Sequence, residues 1–168
     1  MSNFAQRFRA TITLKEIKPG AGPFAYIEIP EYIAADLLQG KSKIRTILTF
    51  DTGQQFHRAI QKRKLDGFTY ISLGNTVLKE AKARVGETIE FTMELDNTKY
   101  GMPMPAELGE LLKQDEEGAA VFDSLNAGLQ RSFLHYIGMA KTFDTRMKRS
   151  LQLVENIKRG KSSFKDFD

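Results

Sequence analysis

The chain has 168 residues, no Cys, no Trp and a formal net charge of +4, a length that suits one ordinary domain or two small ones. Without Cys there is no disulfide framework, no thiol nucleophile and no zinc site of the usual thiolate type. The opening residues, MSNFAQRFRATITL, hold no apolar core of signal-peptide length. No apolar run reaches the roughly 20 residues of a membrane span, so the expectation is a cytoplasmic protein with no membrane insertion.

Along residues 4–17, Phe4, Phe8, Ala10, Ile12 and Leu14 alternate with Arg7, Arg9, Thr11, Thr13 and Lys15. That period of two predicts a half-buried strand. Pro19-Gly20-Ala21-Gly22-Pro23 reads as a turn, and residues 24–29 as a second strand. Pro30 suits the start of a helix over 31–39, lined by Ile33, Leu37 and Leu38 and stopped by Gly40. Residues 43–50, 54–63 and 68–73 read as three further strands, punctuated by Asp51-Thr52-Gly53 and Asp66-Gly67. Asn75 is the expected N-cap of a short helix over 76–84. A last strand, 88–95, places Ile89, Phe91, Met93 and Leu95 on one face. Short strands with regular turn signals predict a closed or partly closed barrel. Phe24, Tyr26, Phe50, Phe56, Phe68, Tyr70 and Phe91 are expected mostly in its core, although a barrel mouth offers a small apolar ligand an alternative use for them.

Residues 97–104 lack periodicity and read as a linker. Helical spacing follows: Leu108, Leu111 and Leu112; then Ala119, Ala120 and Phe122; then Leu129, Phe133, Tyr136, Ile137 and Ala140; then Met147, Leu151, Val154 and Ile157. The fourth helix is expected over 146–159, ended by Gly160, with a flexible tail over 161–168. The fold class is therefore α+β. A small split (pseudo) β-barrel of about six strands with two short helices occupies residues 1–96. A linker over 97–104 leads to a helical region over 105–160.

Two sets of residues carry a resemblance. Val85-Gly86-Glu87-Thr88-Ile89-Glu90-Phe91 through Leu95-Asp96 resembles a small all-β bacterial domain of unknown function. Met104-Pro105-Ala106-Glu107-Leu108, Phe122, Tyr136-Ile137-Gly138-Met139-Ala140-Lys141 and Thr145-Arg146-Met147-Lys148-Arg149 are similar to the YdeI/OmpD-associated, or bacteriocin-protection, family. Phe143 stands where that family often has Pro, and Tyr136 where Trp is common. The resemblance implies a split β-domain followed by a helical region. It also implies a link to tolerance of bacteriocins or cationic peptides. Separately, the strand, short helix, Val-Gly-Glu and strand over 70–95 are similar to half of an AbrB/MazE-type DNA-binding hairpin, a family that binds as dimers.

Charge is distributed unevenly. Acids dominate residues 105–130 and bases dominate from Arg131 onward, which points to pairing within the chain. Lys141, Arg146 and Arg149 sit at a corner between two helices. Thr142 there suits an N-cap and Asp144 the first turn of the next helix, so a structural role competes with an anion- or partner-binding notch. Lys43, Arg45, Arg58, Lys62 and Arg63, with Lys41 and Lys64 nearby, make a candidate basic patch. His57 and His135 are the only histidines, too few for a histidine metal centre. No phosphate-binding glycine loop or strained nucleophile turn occurs. The expectation is a non-enzymatic binding protein with no cofactor and no metal, acting with a protein partner. A dimeric DNA-binding regulator is the alternative and a small-molecule-binding barrel the second; a homodimer is compatible with each.

Overall fold

The computed structural model describes residues 6–16, 20 and 22–163. Phe4, Ile17, Pro19 and Ala21 of the expected strand and turn, and 164–168 of the expected tail, lie outside the described residues. The chain divides into two compact units, Met1–Asn97 and Thr98–Asp168.

The first unit is a mixed arrangement of one curled sheet and two helices. Its strands are β1 (Gln6–Thr11), β2 (Thr13–Lys15), β3 (Phe24–Glu28), β4 (Lys43–Phe50), β5 (Gln55–Lys62), β6 (Thr69–Leu73) and β7 (Thr88–Leu95). The order is β1-β7-β4-β5-β6-β3-β2, with every pairing antiparallel. There are seven strands where about six were expected, because the first expected strand splits at Ile12. β1 pairs with β7 at one edge of the sheet and β2 pairs with β3 at the other.

A flat seven-stranded sheet would hold its edges about 29 Å apart, six spacings of about 4.8 Å. One intervening residue spans only about 3.5 Å. The sheet therefore curls until its edges are bridged at Ile12, whose N–H donates to the Glu87 carbonyl and whose carbonyl accepts from Gly86 N–H. Ile12 itself is fully buried. The alternation holds up to this point, with Phe8 and Ala10 against the core, and fails just after it: Leu14 is half-exposed.

The concave face of the sheet holds Leu48, Phe50, Phe56, Ile60, Ile71, Phe91 and Met93. Helix α1 (Glu31–Leu38) adds Ile33, Ala34 and Leu38, and α2 (Asn75–Glu80) adds Val77. Phe24, Tyr26, Phe68 and Tyr70 are not part of that core. They form a second cluster on the opposite face, in which Phe68 stacks on Tyr70 at 5.3 Å between ring centroids and Lys15 sits over Phe68 at 3.7 Å. The expectation that these four lie in the barrel core is therefore corrected: on β3 and β6 it is Ala25, Ile27, Ile71 and Leu73, the alternate positions, that face the core.

Helix α2 is shorter than its pattern. Gly74 is the N-cap and Asn75 the first helical residue. Beyond Ala81, Lys82 takes φ 54°. Its N–H bonds the Lys79 carbonyl, and Ala83 N–H bonds that of Leu78. This pair of bonds is a Schellman ending whose left-handed position is ordinarily Gly, so nothing in the local composition announced the stop.

The second unit packs α3 (Ala106–Gln114), α4 (Glu116–Ser124), α5 (Ala127–Gly138) and α6 (Phe143–Lys158) around Leu108, Phe122, Phe133, Leu134, Ile137, Leu153, Val154 and Ile157. Tyr100, Met102 and Met104 lie against this core. Asn126 and Thr142 cap α5 and α6 by accepting from Leu129 N–H and Thr145 N–H. Both helices consequently begin earlier than the apolar spacing indicated, since a cap acts before the first buried side chain. The buried stripe of α6 is Ser150, Leu153, Val154 and Ile157, whereas Leu151, expected inward, is half-exposed.

Candidate functional site

The corner between α5 and α6 is built by the last turn of one helix and the cap of the next. Arg146, in the second turn of α6, reaches in two directions. Its Nε donates to Glu107 Oε1 at 2.7 Å, and its Nη1 donates to the Ala140 carbonyl at 3.2 Å and the Lys141 carbonyl at 3.4 Å. One guanidinium thus joins the first turn of α3 to two carbonyls of the short connection between α5 and α6. Glu107 is 5% exposed at its side chain. Its carboxyl is held below the usual carboxylate range first by its own backbone N–H, with Arg146 adding to the lowering and burial opposing it.

Arg149 donates to the Tyr136 carbonyl and lies over the Tyr136 ring, 4.1 Å from its centroid. A cation over an aromatic face accounts for a bulky ring at this position. Lys141 is exposed and its ammonium makes no hydrogen bond or ion pair among the described residues. Two of the three candidate cations are therefore engaged inside the unit, and the third faces solvent. Acid–base pairing continues around the unit: Lys158 bridges Asp115 at 2.9 Å and Glu117 at 3.3 Å, and Lys99 meets Asp123 at 2.7 Å. Asp115 is lowered chiefly by Gly118 N–H and then by Lys158, and Asp123 chiefly by Lys99.

Arg146 and Glu107 stand 39 residues apart in sequence and join the two ends of the pattern that includes Met104-Pro105-Ala106-Glu107-Leu108 and Thr145-Arg146-Met147-Lys148-Arg149. Residues 102–160 match the family described as Bacteriocin-protection, YdeI or OmpD-Associated. The match falls within the helical unit, and the α5–α6 corner with its engaged cations lies inside the matched residues. No curated protein matches the chain.

Around that corner the helical unit exposes large apolar side chains. Met139 is 66% and Phe143 58% exposed, and Leu151 follows Phe143 two turns along α6. Spacing alone assigned Leu151 to the core and passed over Met139. Spacing offered no signal for Phe143 either, because it lies seven residues before Ser150 and eleven before Val154, on the line of the buried stripe, and is exposed only because it stands at the helix's first turn.

The candidate basic patch does not form one face. In the β4–β5 register Thr46 opposes Arg58 and Ile47 opposes His57. Lys43 and Arg45 therefore point to the convex side of the sheet, and Arg58 and Lys62 to the concave side, by the two-residue period. Arg45 donates to the Asp96 carbonyl, Lys62 pairs with Glu31, and Arg63 pairs with Asp66. Asp66 is lowered to about 2, first by Arg63. Arg58 is desolvated: burial pulls its guanidinium below its ordinary value, Glu80 opposes this, and its Nε is buried without a partner. His57 Nδ1 lies 3.0 Å from Asp96 Oδ2, and Asp96 is 1% exposed at its side chain. Among the described residues no group of acids and histidines could hold a metal ion, and no helix is long and apolar enough to cross a membrane.

Proposed function

We propose that the protein is a non-enzymatic binding protein and that the α5–α6 corner of its helical unit is the surface that engages a protein partner. The observation that carries this reading is the exposure of Met139 and Phe143 beside the unpaired ammonium of Lys141. Arg146 and Arg149 hold the corner rigid, which limits the ordering that binding would otherwise require. Apolar anchors beside one exposed cation suit an acidic partner surface.

The matched family's description speaks of bacteriocin protection. A Lys-flanked corner repels a cationic peptide, so we assign any role in tolerance to a protein partner and not to capture of the peptide. The DNA-binding alternative has less behind it, because the five basic residues divide between two faces of the sheet and several are paired.

The test is complementation of a strain lacking the gene and challenged with a cationic bacteriocin. F143D and K141E should lose protection while their melting temperatures match the wild type. Full protection by both variants would refute the assignment of this corner.

A further inference from the structure

The sheet is bridged at Ile12 but parts again on the N-terminal side of it. β2 covers β3 only at residues 24–26, so Ile27 and Glu28 run on without a strand on that side, and β1 keeps a free edge. Between them lies a slot of about 170 Å³, below the range of about 300 to 1,000 Å³ that suits small molecules. β1 from Arg7 to Ala10 forms one wall, and Glu28, Ile29, Pro30 and Ile33 form the other.

Successive residues of a strand direct their backbone groups to opposite edges. Asp51 N–H donates to the Glu90 carbonyl. Glu90 therefore turns towards β4, and its neighbours Ile89 and Phe91 turn towards β1, where they oppose Ala10 and Phe8. Arg7 and Arg9 consequently direct their N–H and C=O groups away from β7, into the slot. On the other wall Ile29 N–H donates to the Thr69 carbonyl, so Glu28 turns its backbone groups away from β6 and also into the slot. None of these three residues has a backbone partner on that side among the described residues.

The side chains sort by the same alternation. Phe8, Ala10, Ile29, Ile33 and Phe91 make the floor apolar. Arg7, Arg9 and Glu28 stand on the outer rim. Arg7 is engaged by Glu90 at 2.9 Å, whereas Arg9 and Glu28 make no side-chain hydrogen bond or ion pair among the described residues. By the register of β2 with β3, Glu28 lies level with Thr11, near the closed end. The mouth is left with two cations, Arg7 and Arg9, against the one carboxylate of Glu90.

Unpaired backbone groups on two facing walls match another backbone, an apolar floor matches every second side chain, and a positive mouth matches an acid between them. We propose that this slot takes up an extended segment of a partner protein as an added strand, with apolar side chains inward and an acidic side chain outward beside Arg9. A second copy of β1 does not fit, because its arginines would lie beside Arg7 and Arg9. The slot belongs to the first unit and does not depend on the α5–α6 corner.

The test is titration of the full-length ¹⁵N-labelled chain with the peptide acetyl-Thr-Val-Asp-Val-Thr-amide. Binding should slow hydrogen exchange at the Arg7 and Arg9 amides, leave Phe8 and Ala10 little changed because β7 already holds them, and shift amides over residues 28–33. The same peptide N-methylated at the Asp and both Thr cannot donate to β1, and should bind about tenfold more weakly or less. Lys in place of the Asp should weaken binding by a similar factor. R9P removes an N–H that no strand uses, a change that sheet edges tolerate, so its melting temperature should hold while the peptide is lost. R9A keeps the N–H and should bind better than R9P. Equal binding of the N-methylated peptide would overturn strand addition, whether or not R9P folds. Equal binding of the Lys peptide would overturn the acidic occupant. Slow exchange at Arg7 and Arg9 before any peptide is added would show the edge already covered, by this chain or by a second copy as sedimentation distinguishes, and would overturn the partner.

Discussion

Gly118, in the first turn of α4, is the position at which one added methyl group tests the packing of the helical unit. A Cβ built there would stand 2.6 Å from Val154 Cγ1 and 3.1 Å from Asp115 Cγ. Carbon atoms in contact sit about 3.5–4.0 Å apart, so α4 and α6 must separate by about 1 Å or Val154 must move. Val154 is buried and β-branched, which leaves it little rotamer freedom on a helix. Overpacking of this kind costs about 1–3 kcal/mol, while Gly→Ala within a helix returns about 1 kcal/mol. The net expectation for G118A is a loss of about 1 kcal/mol, seen as a fall of about 4–8 °C in the melting temperature of a unit this size. G138A meets nothing within 4 Å and G109A meets only the flexible Met104 side chain at 3.2 Å, so neither should fall and G138A should gain. Thermal and denaturant unfolding followed by far-UV circular dichroism measures all three. In G118A/V154A the new methyl fills space that Val154 vacates, so the double variant should be more stable than the sum of the singles by about 1 kcal/mol. A G118A protein as stable as the wild type, with no coupling to Val154, would show that α4 and α6 do not meet as closely as the structure has them.

Three further outcomes follow from the charges. Glu107, Asp115 and Asp123 all have depressed carboxyl values. The stability they lend is complete above the unfolded carboxylate value of about 4 and is lost as pH falls through the lower folded values. The melting temperature of the helical unit should therefore be level from pH 7 to about 5 and fall below about 4, and D115N should reduce that fall in a calorimetric series. R146A leaves the Glu107 carboxylate without its cation, so it should lower the melting temperature more than R146K does. E107Q with R146A should recover part of the loss. In the first unit, R58M removes a desolvated cation with an unpartnered Nε and should leave stability within about 1 kcal/mol of the wild type, or above it. A larger loss on denaturant titration would show that the guanidinium is a net stabiliser.

The strands that could be read from sequence are those whose side chains alternate without a break. Residues 43–50 and 88–95 were expected as strands, and β4 and β7 have those bounds. The split at Ile12 was hidden because Ile12 continues the same alternation, and the change of neighbour from β7 to β3 depends on how the sheet closes. The end of α2 was hidden because Lys82 occupies a position where Gly would have marked it. At the α5–α6 corner Thr142 was legible as a cap, being a short-range feature. The engagement of Arg146 by Glu107 was not, because 39 residues lie between them and only tertiary packing selects that acid among several on α3 and α4.

The bridge at Ile12 also governs how the sheet would come apart under load. Most open sheets have two edges that can be peeled independently, by forces applied at different points of the chain. Here the two edge strands are consecutive, so tension entering from the N-terminal side draws first on β1, then on the bonds of Ile12 to residues 86–87, then on β2. One pull strips both rims in turn and leaves β7 and β3 with unpaired backbone at once. The same short segment is thus the seam that closes the sheet and the thread by which it would unravel.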